Sequence, residues 1–260
     1  MRAILTFHSV DDSGSVISYA PKLFEKLIRS LAISGLPIVD LPTLLSPGCV
    51  SGVAITFDDG MHSVRRHALP VLRHYGAPAH LFLSTQPVGG AHPWPEQPTD
   101  IPSFPMLSWD DVDALVEGGV FIENHTHTHP DMRTLNAAQM KAECDVSDEL
   151  IEARTGRRPR YFAYPFGYFS PEAIAFADAR YEGTVTTELR TLHRDEAPAL
   201  LPRLDTFYLQ TPALFERLQE DSVQGYLSTR SFLRTVRGSQ VIPEQGLAAA
   251  ARRAWSAWRA

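Results

Sequence analysis

The sequence predicts an α/β fold in which a parallel sheet is covered by helices, closed as a barrel or left open. Two observations carry this. Short apolar or β-branched runs alternate with longer amphipathic stretches along most of the 260 residues, the pattern of repeated strand–helix units. A pair of adjacent aspartates directly follows one of those runs, and in parallel sheets ligands gather at that carboxyl end of the strands. No internal repeat or low-complexity block interrupts the alternation.

The elements follow in order. Residues 3–7 are apolar enough for a first strand, and 21–34 read as a helix with Leu23, Phe24, Leu27, Ile28 and Leu31 on one face. A second strand is expected over 53–57, a helix over 63–75 and a third strand over 79–83. Ser108 is a good cap for a helix over 109–117. A short strand over 120–123, a long helix over 136–155 and a strand over 161–164 come next. Segments 171–178, 183–186 and 201–205 continue the alternation. Residues 87–105 hold six prolines in nineteen positions and no periodicity, so this is a loop, expected near a strand end. The tail, 246–260, is rich in alanine and carries Arg252, Arg253, Arg259, Trp255 and Trp258. It suits a terminal helix packing its tryptophans on the body; the other reading is peripheral contact with an anionic membrane surface.

Composition bounds the function. Hydrophobic residues make up 44% and charged residues 21%, the ordinary balance of a globular protein. A formal charge of −6 and no basic face give no general attraction to nucleic acid. Cys49 and Cys144 form no Cys-x-x-Cys pair, so two reduced thiols are expected rather than a thiolate metal site. The first eight residues are too short an apolar run for a secretory leader, and no stretch reaches the length of a membrane span. The expected location is therefore the cytoplasm.

Chemistry concentrates in two places. Asp58 and Asp59 end the second strand before Gly60. Two neighbouring carboxylates repel, so a buried pair calls for a cation or a shared proton; a polar turn with Asp58 capping the next helix is the alternative. Three of the ten histidines, His125, His127 and His129, fall within five residues after another strand. Spaced four apart, His125 and His129 fit one side of a helical turn and can converge on one ion, while His127 points away. Imidazole with carboxylate suits zinc, with cobalt, nickel or iron(II) as alternatives, better than magnesium or calcium. Asp59, His125 and His129 complete a three-ligand set with an open position, and Asp58 is left as a general base.

Taken together, Thr56-Phe57-Asp58-Asp59-Gly60 and His125-Thr126-x-x-His129-Pro130 resemble the first two motifs of the polysaccharide deacetylase family, carbohydrate esterase family 4. Phe162-Ala163-Tyr164-Pro165-Phe166-Gly167 is similar to its third motif. The resemblance runs over about residues 3–207 and implies a distorted, incomplete barrel of seven β/α units within one domain, 1–260, whose last part (237–260) is a helical tail. It also implies Asp58 as base, Asp59, His125 and His129 on a divalent metal, and an oxyanion-binding N–H near Phe166, with Tyr164, Pro165 and Asp205 lining the substrate. Many members carry an arginine in the third motif where this chain has Ala163. Arg203 is the substitute, since it shares a strand face with Asp205 and its charge would keep Asp58 ionised.

The usual late histidine acting as general acid is also missing. In the exopolysaccharide branch, the poly-N-acetylglucosamine deacetylases, which this chain resembles most, a strand-one histidine takes that role, and the resemblance implies His8, which ends the first strand here; His193 is the competitor. The implied activity is metal-dependent hydrolysis of an N-acetyl group on a sugar or glycan precursor. Cleavage of another C–N bond or an O-acetyl ester, and a catalytically silent carbohydrate-binding barrel, are the alternatives.

Overall fold

Seven parallel strands curl into one sheet in the computed structural model, which describes residues 1–91 and 102–239. In chain order they are β1 (Arg2–Phe7), β2 (Gly52–Asp59), β3 (Ala79–Leu83), β4 (Val120–Asn124), β5 (Tyr161–Ala163), β6 (Gly183–Val185) and β7 (Leu204–Asp205). Their spatial order is β6-β5-β4-β3-β2-β1-β7. One segment links the two edges: Leu201 bridges to Val185 of β6, and Leu204 pairs with Leu5 of β1. Pro202 lies between them without an N–H to donate, so the strand expected over 201–205 shortens to β7 and the closure is incomplete. The result is the incomplete seven-unit barrel.

The helices are α1 (Pro21–Ile33), α2 (Leu41–Leu45), α3 (Leu69–Tyr75), α4 (Trp109–Glu117), α5 (Ala137–Thr155), α6 (Pro171–Asp178), α7 (Pro212–Phe215) and α8 (Asp221–Ser239). The helix expected over 63–75 divides into a π turn, Val64–Ala68, and α3. Pro70 cannot donate to the preceding turn, which disfavours an unbroken α ladder there. Ser108 caps α4 through a capping box with Asp111, and Asn136 caps α5 with Gln139. Gly156, at φ +71°, then ends α5 in the left-handed conformation. The sequence signals did not reveal α8. Its apolar side chains divide between buried Val223 and Leu227 and exposed Phe232 and Leu233, so no single stripe marks it. The tail over 240–260, with the expected tryptophan packing or membrane contact, lies outside the described residues. No described helix is long and apolar enough to cross a membrane.

Strand alternation separates two apolar layers. Leu5, Phe7, Ile55, Phe57 and Leu81 face the helices and pack with Phe24, Leu27, Ile28 and Leu31 of α1. Each of those α1 side chains contributes about 1.5–3 kcal/mol by burial. Phe24 sits 5.1 Å from the Phe7 ring, and cutting it to alanine would cost about 3–5 kcal/mol. The alternate positions Ile4, Ala54, Phe82, Tyr161, Ala163 and Val185 pack into a second cluster with Leu41 and Leu44 of α2. Here the buried His80 accepts from Leu41 N–H through Nε2 and meets Glu123 through Nδ1 at 2.9 Å, which fixes its proton on Nδ1.

Candidate active site

The same alternation decides which side chains reach the mouth of the barrel. Asp58 continues the row Ala54, Thr56 on β2, and His8 continues Ile4, Thr6 just beyond β1. Asp59 belongs to the other face, but its φ of +72° turns the chain and brings its carboxylate back beside the mouth. Gly60, at φ +102°, completes the bend; a Cβ there would sit 2.4 Å from Leu83 Cδ1.

Asp59 Oδ1 lies 3.3 Å from His125 Nε2 and 3.4 Å from His129 Nε2, and all three residues are buried. Their ligand atoms fall within 4.8 Å of one another. Tetrahedral bonds of zinc length place neighbouring donors about 3.3 Å apart, so the residues fit a divalent ion. The second nitrogen of His125 supports this fit. Its Nδ1–H donates to the Ala163 carbonyl at 2.8 Å, which leaves the Nε2 lone pair aimed at the cluster.

Burial works to raise Asp59, yet hydrogen bonds from His125 and His129 hold its carboxyl well below the usual range. Burial disfavours imidazolium at both histidines. It prevails at His129, whose pKa falls, whereas Asp59 and Asp58 outweigh it at His125, whose pKa rises.

The histidines do not occupy a helical turn as their spacing suggested. Residues 125–129 form an irregular bend with Thr126 at φ +66° and His129 at φ +60°. Hydrogen bonds hold this bend. Asn124 Oδ1 accepts Thr126 N–H at 2.7 Å, and Thr126 Oγ1 accepts His129 N–H at 3.1 Å. From α5, the Glu143 carboxylate accepts the N–H groups of His127 and Thr128 and the Thr128 hydroxyl. Asp148, fully buried, accepts from Asn124 Nδ2 at 2.6 Å and from Arg180 at 2.6 Å. Glu143 and Asp148 escaped sequence reasoning because acidic residues on a long helix read as a solvated face. His127 turns away, bonding Thr85 Oγ1 through Nδ1.

On the other side of the mouth, Arg203 is buried and makes two parallel 2.7 Å bonds to the two oxygens of Asp58. Its Nε–H donates to the Thr186 carbonyl at 3.0 Å. Burial alone would raise Asp58; the charge and hydrogen bonds of Arg203, together with His125 and His8, outweigh it and hold the carboxyl below its ordinary value. His8 Nε2 lies 4.0 Å from Asp58 Oδ2 with its side chain 30% exposed. His193 sits at the opposite end of the sheet, since neighbouring Leu192 bonds to Arg2 at the start of β1.

The third motif forms a tight turn after β5 with Phe166 at φ +58°. Its internal bonds use the N–H groups of Gly167 and Tyr168; that of Phe166 takes no part in them. The Phe166 ring packs edge-on against His129 at 4.4 Å. Of the three expected lining residues, Tyr164 and Pro165 are buried. Tyr164 is 1% exposed and packs with Phe162, Met140 and Cys144 on the outer layer, because it alternates with inward Ala163. Pro165 is buried and its carbonyl accepts Tyr168 N–H inside the turn. Asp205 caps the following turn through Phe207 N–H and faces Arg234 at 3.9 Å. Arg203 precedes the two-residue strand, so the shared-face rule does not extend to the pair. A cleft of about 390 Å³ beside this turn, reaching Thr186, Glu188 and Arg234, contains none of the clustered ionisable groups.

A parallel α/β half-barrel with an aspartate pair and two histidines at its carboxyl end defines a class of candidate hydrolases. Comparison with known proteins narrows it. Residues 47–183 match the family model described as polysaccharide deacetylase, and the chain belongs to that family. The Bacillus subtilis protein YxkH is 26% identical over 208 residues, covering 77% of this chain and 70% of that protein. Poly-β-1,6-N-acetyl-D-glucosamine N-deacetylase of Staphylococcus epidermidis is 28% identical over 131 residues, 47% of this chain and 43% of that enzyme. The chain thus matches less than half the length of this second relative. Among solved structures, IcaB from Ammonifex degensii superposes with a TM-score of 0.67 at 23% identity over 83% of this chain and 94% of that one. Streptococcus pyogenes deacetylase PplD gives 0.67 at 19% identity over 78% and 91%. At these identities the superpositions establish the fold.

Proposed function

We propose that this protein is a metal-dependent hydrolase that removes the N-acetyl group from a sugar unit of a glycan or glycan precursor. The observation that carries the proposal is one carboxylate, Asp58, clamped by Arg203 beside the three-ligand cluster and His8. The name of the Staphylococcus relative supports N-acetylglucosamine within a polymer as the sugar.

Asp59, His125 and His129 would hold the ion, with zinc, cobalt and nickel all suited to this donor set. Such an ion, when bound, polarises the amide carbonyl and acidifies water near neutral pH. Asp58, kept ionised by Arg203, accepts the proton of the attacking water as its oxygen bonds to the acetyl carbon. The N–H of Phe166 hydrogen-bonds the carbonyl oxygen as negative charge grows there. His8 then gives a proton to the sugar nitrogen as the C–N bond breaks. The products are acetate and a free amine.

Acetate release over a panel of N-acetylated sugars and oligomers tests this, with chelation followed by return of zinc, cobalt or nickel. O-acetyl esters and non-sugar amides complete the panel. Acetate from N-acetyl sugars that disappears on chelation and returns with metal is expected. Turnover confined to the esters or non-sugar amides would overturn the reading.

A further inference from the structure

The ladder between β1 and β2 runs from Arg2–Gly52 to Phe7–Phe57 and ends one residue before His8 and Asp58. His8 Nε2 stands 4.0 Å from Asp58 Oδ2, beyond hydrogen-bond length, so direct contact does not set their spacing. A run of hydroxyls ties the two chain segments together beyond the ladder.

The strand alternation turns His8 toward the mouth and Ser9 toward the helix side. Ser9 is fully buried, and its hydroxyl meets Ser63 Oγ at 2.8 Å and the Asp11 carboxylate. Ser63 lies in the turn that follows Asp59 and Gly60, and its hydroxyl accepts Val10 N–H at 3.0 Å. Asp11 also accepts from the Ser18 hydroxyl at 3.0 Å and from Ser13 N–H at 2.7 Å. Burial works to raise the Asp11 carboxyl, but the hydrogen bonds from Ser13, Ser9 and Ser18 outweigh it and hold it below its ordinary value.

An ionised carboxylate only accepts, which fixes the direction of every proton in the run. Ser9 donates to Asp11, Ser63 donates to Ser9, and Val10 N–H donates to Ser63. Bonds aligned in this way strengthen one another. The loop is fastened further along as well. Ser9 N–H donates to the Ile17 carbonyl at 3.0 Å, and Ile17 packs on the cluster of Met61, Phe104 and Met106. The segment that carries His8 is thus stapled to the turn that follows the aspartate pair.

We infer that Asp11, Ser9 and Ser63 are positioning residues that set where His8 stands opposite Asp58. They act through the backbone of residues 8–10 and touch none of the reacting groups. This rests on the deacetylase reading above, in which His8 gives its proton to the departing nitrogen. Misplacing a reacting group by about 1 Å can cost on the order of 10²-fold in rate, so the staple carries a measurable part of turnover.

The test compares turnover of an N-acetyl sugar and of nitrophenyl acetate in wild type, Ser63→Ala, Ser63→Thr, His8→Gln and the combined His8→Gln, Ser63→Ala protein. Ser63→Ala should lower kcat on the N-acetyl sugar by about tenfold with KM unchanged, and should spare the ester, whose leaving group needs no proton. Ser63→Thr keeps the hydroxyl and should restore most of the rate. With His8 already replaced, Ser63→Ala should cost nothing more, because both changes act on one group. Equal losses on both substrates, or a full further loss in the combined protein, would overturn the assignment. So would a zinc affinity that falls with the rate, since Ser63 would then serve the Asp59 turn.

Crystal structures of wild type and Ser63→Ala separate the two proposals. A His8 imidazole displaced from Asp58 in the variant, with no acetate release by wild type, keeps the staple and removes the deacetylase reading. Acetate release by wild type with an unmoved imidazole in the variant does the reverse.

Discussion

The two halves of the candidate site are built by opposite means. Asp59, His125 and His129 come from the middle of the sheet, on two short chain segments whose strands lie on either side of β3. Their geometry is local: of the four non-glycine residues with positive φ among the described residues, three, Asp59, Thr126 and His129, shape this half, and α5 clamps it through Glu143 and Asp148. His8 directly follows β1 and Arg203 directly precedes β7, the two strands of the seam, far apart in sequence. Only two register pairs join those strands, against six between β1 and β2. The seam half thus depends on tertiary closure and on one buried ion pair, whereas the central half depends on turns. Disturbances of the seam should alter acid–base chemistry and leave ion binding alone; disturbances behind the central half should do the converse.

Asp58→Asn is the largest expected break in activity. Turnover should fall by about 10²–10⁴-fold while zinc binding, measured by calorimetry, persists. Loss of zinc binding in this variant would erase the division between the halves. Arg203→Ala comes next, because it leaves a buried carboxylate without its partner, at a cost of about 3–5 kcal/mol in stability. The sign with pH is fixed. Asp58 has a depressed pKa in the folded protein, so the pair's contribution is present above the ordinary value of 3.8 and lost as pH falls. Without Arg203, burial dominates and raises Asp58, so the acid limb of activity should move to higher pH. An unmoved limb would remove Arg203 from the role of holding the base ionised.

His8→Gln is expected to lower turnover of an N-acetyl sugar by about 10²-fold. A nitrophenyl acetate ester, whose leaving group departs without a proton, should be nearly unaffected. Equal losses on both would assign His8 to positioning, not to proton donation.

The contrast also explains how much was legible in the sequence. Asp58, Asp59, His125 and His129 are conspicuous because the chemistry is written into contiguous strings at strand ends. Most of the strands were legible for the same local reason. Arg203 was reachable only by asking what replaces the charge absent at Ala163, since nothing near residue 203 announces a partner on β2. The bend at 125–129 was misjudged as helical because spacing alone cannot reveal the positive φ of Thr126 and His129. Tyr164 was expected to line the substrate, but it follows the strand's outward alternation and is buried. Asp148 was silent, as burial of a helix residue depends on what packs over it.

Asp148 gives a smaller, complementary prediction. Asp148→Ala removes the 2.6 Å partner of Asn124, which shapes the bend through Thr126, and takes from Arg180 one of its two carboxylates. Zinc affinity should weaken by about tenfold to a hundredfold. The acid limb of activity, set at the seam, should stay where it is. A shifted limb with unchanged zinc affinity would mean that the halves are coupled, contrary to the division drawn here.

The mildest probe reports on α5 without altering it. Cys144 is fully buried, and its carbonyl accepts from Asn124 Nδ2 at 3.2 Å, so it sits where α5 grips the bend. Burial pushes its thiol from 9.0 up to about 12, and the thiolate is the reactive form. At pH 8 an alkylating reagent should therefore modify half-buried Cys49 in the native protein and reach Cys144 only through opening. The linked stability is full below 9.0 and declines as pH rises toward about 12. Mass spectrometry of labelled protein should find Cys144 exposed sooner in Asp148→Ala but not in Arg203→Ala, because β3 and β2 separate the seam strands from β4, on which α5 packs. Earlier labelling in Arg203→Ala would show that seam closure also holds α5 down, and the independence of the two halves would fail.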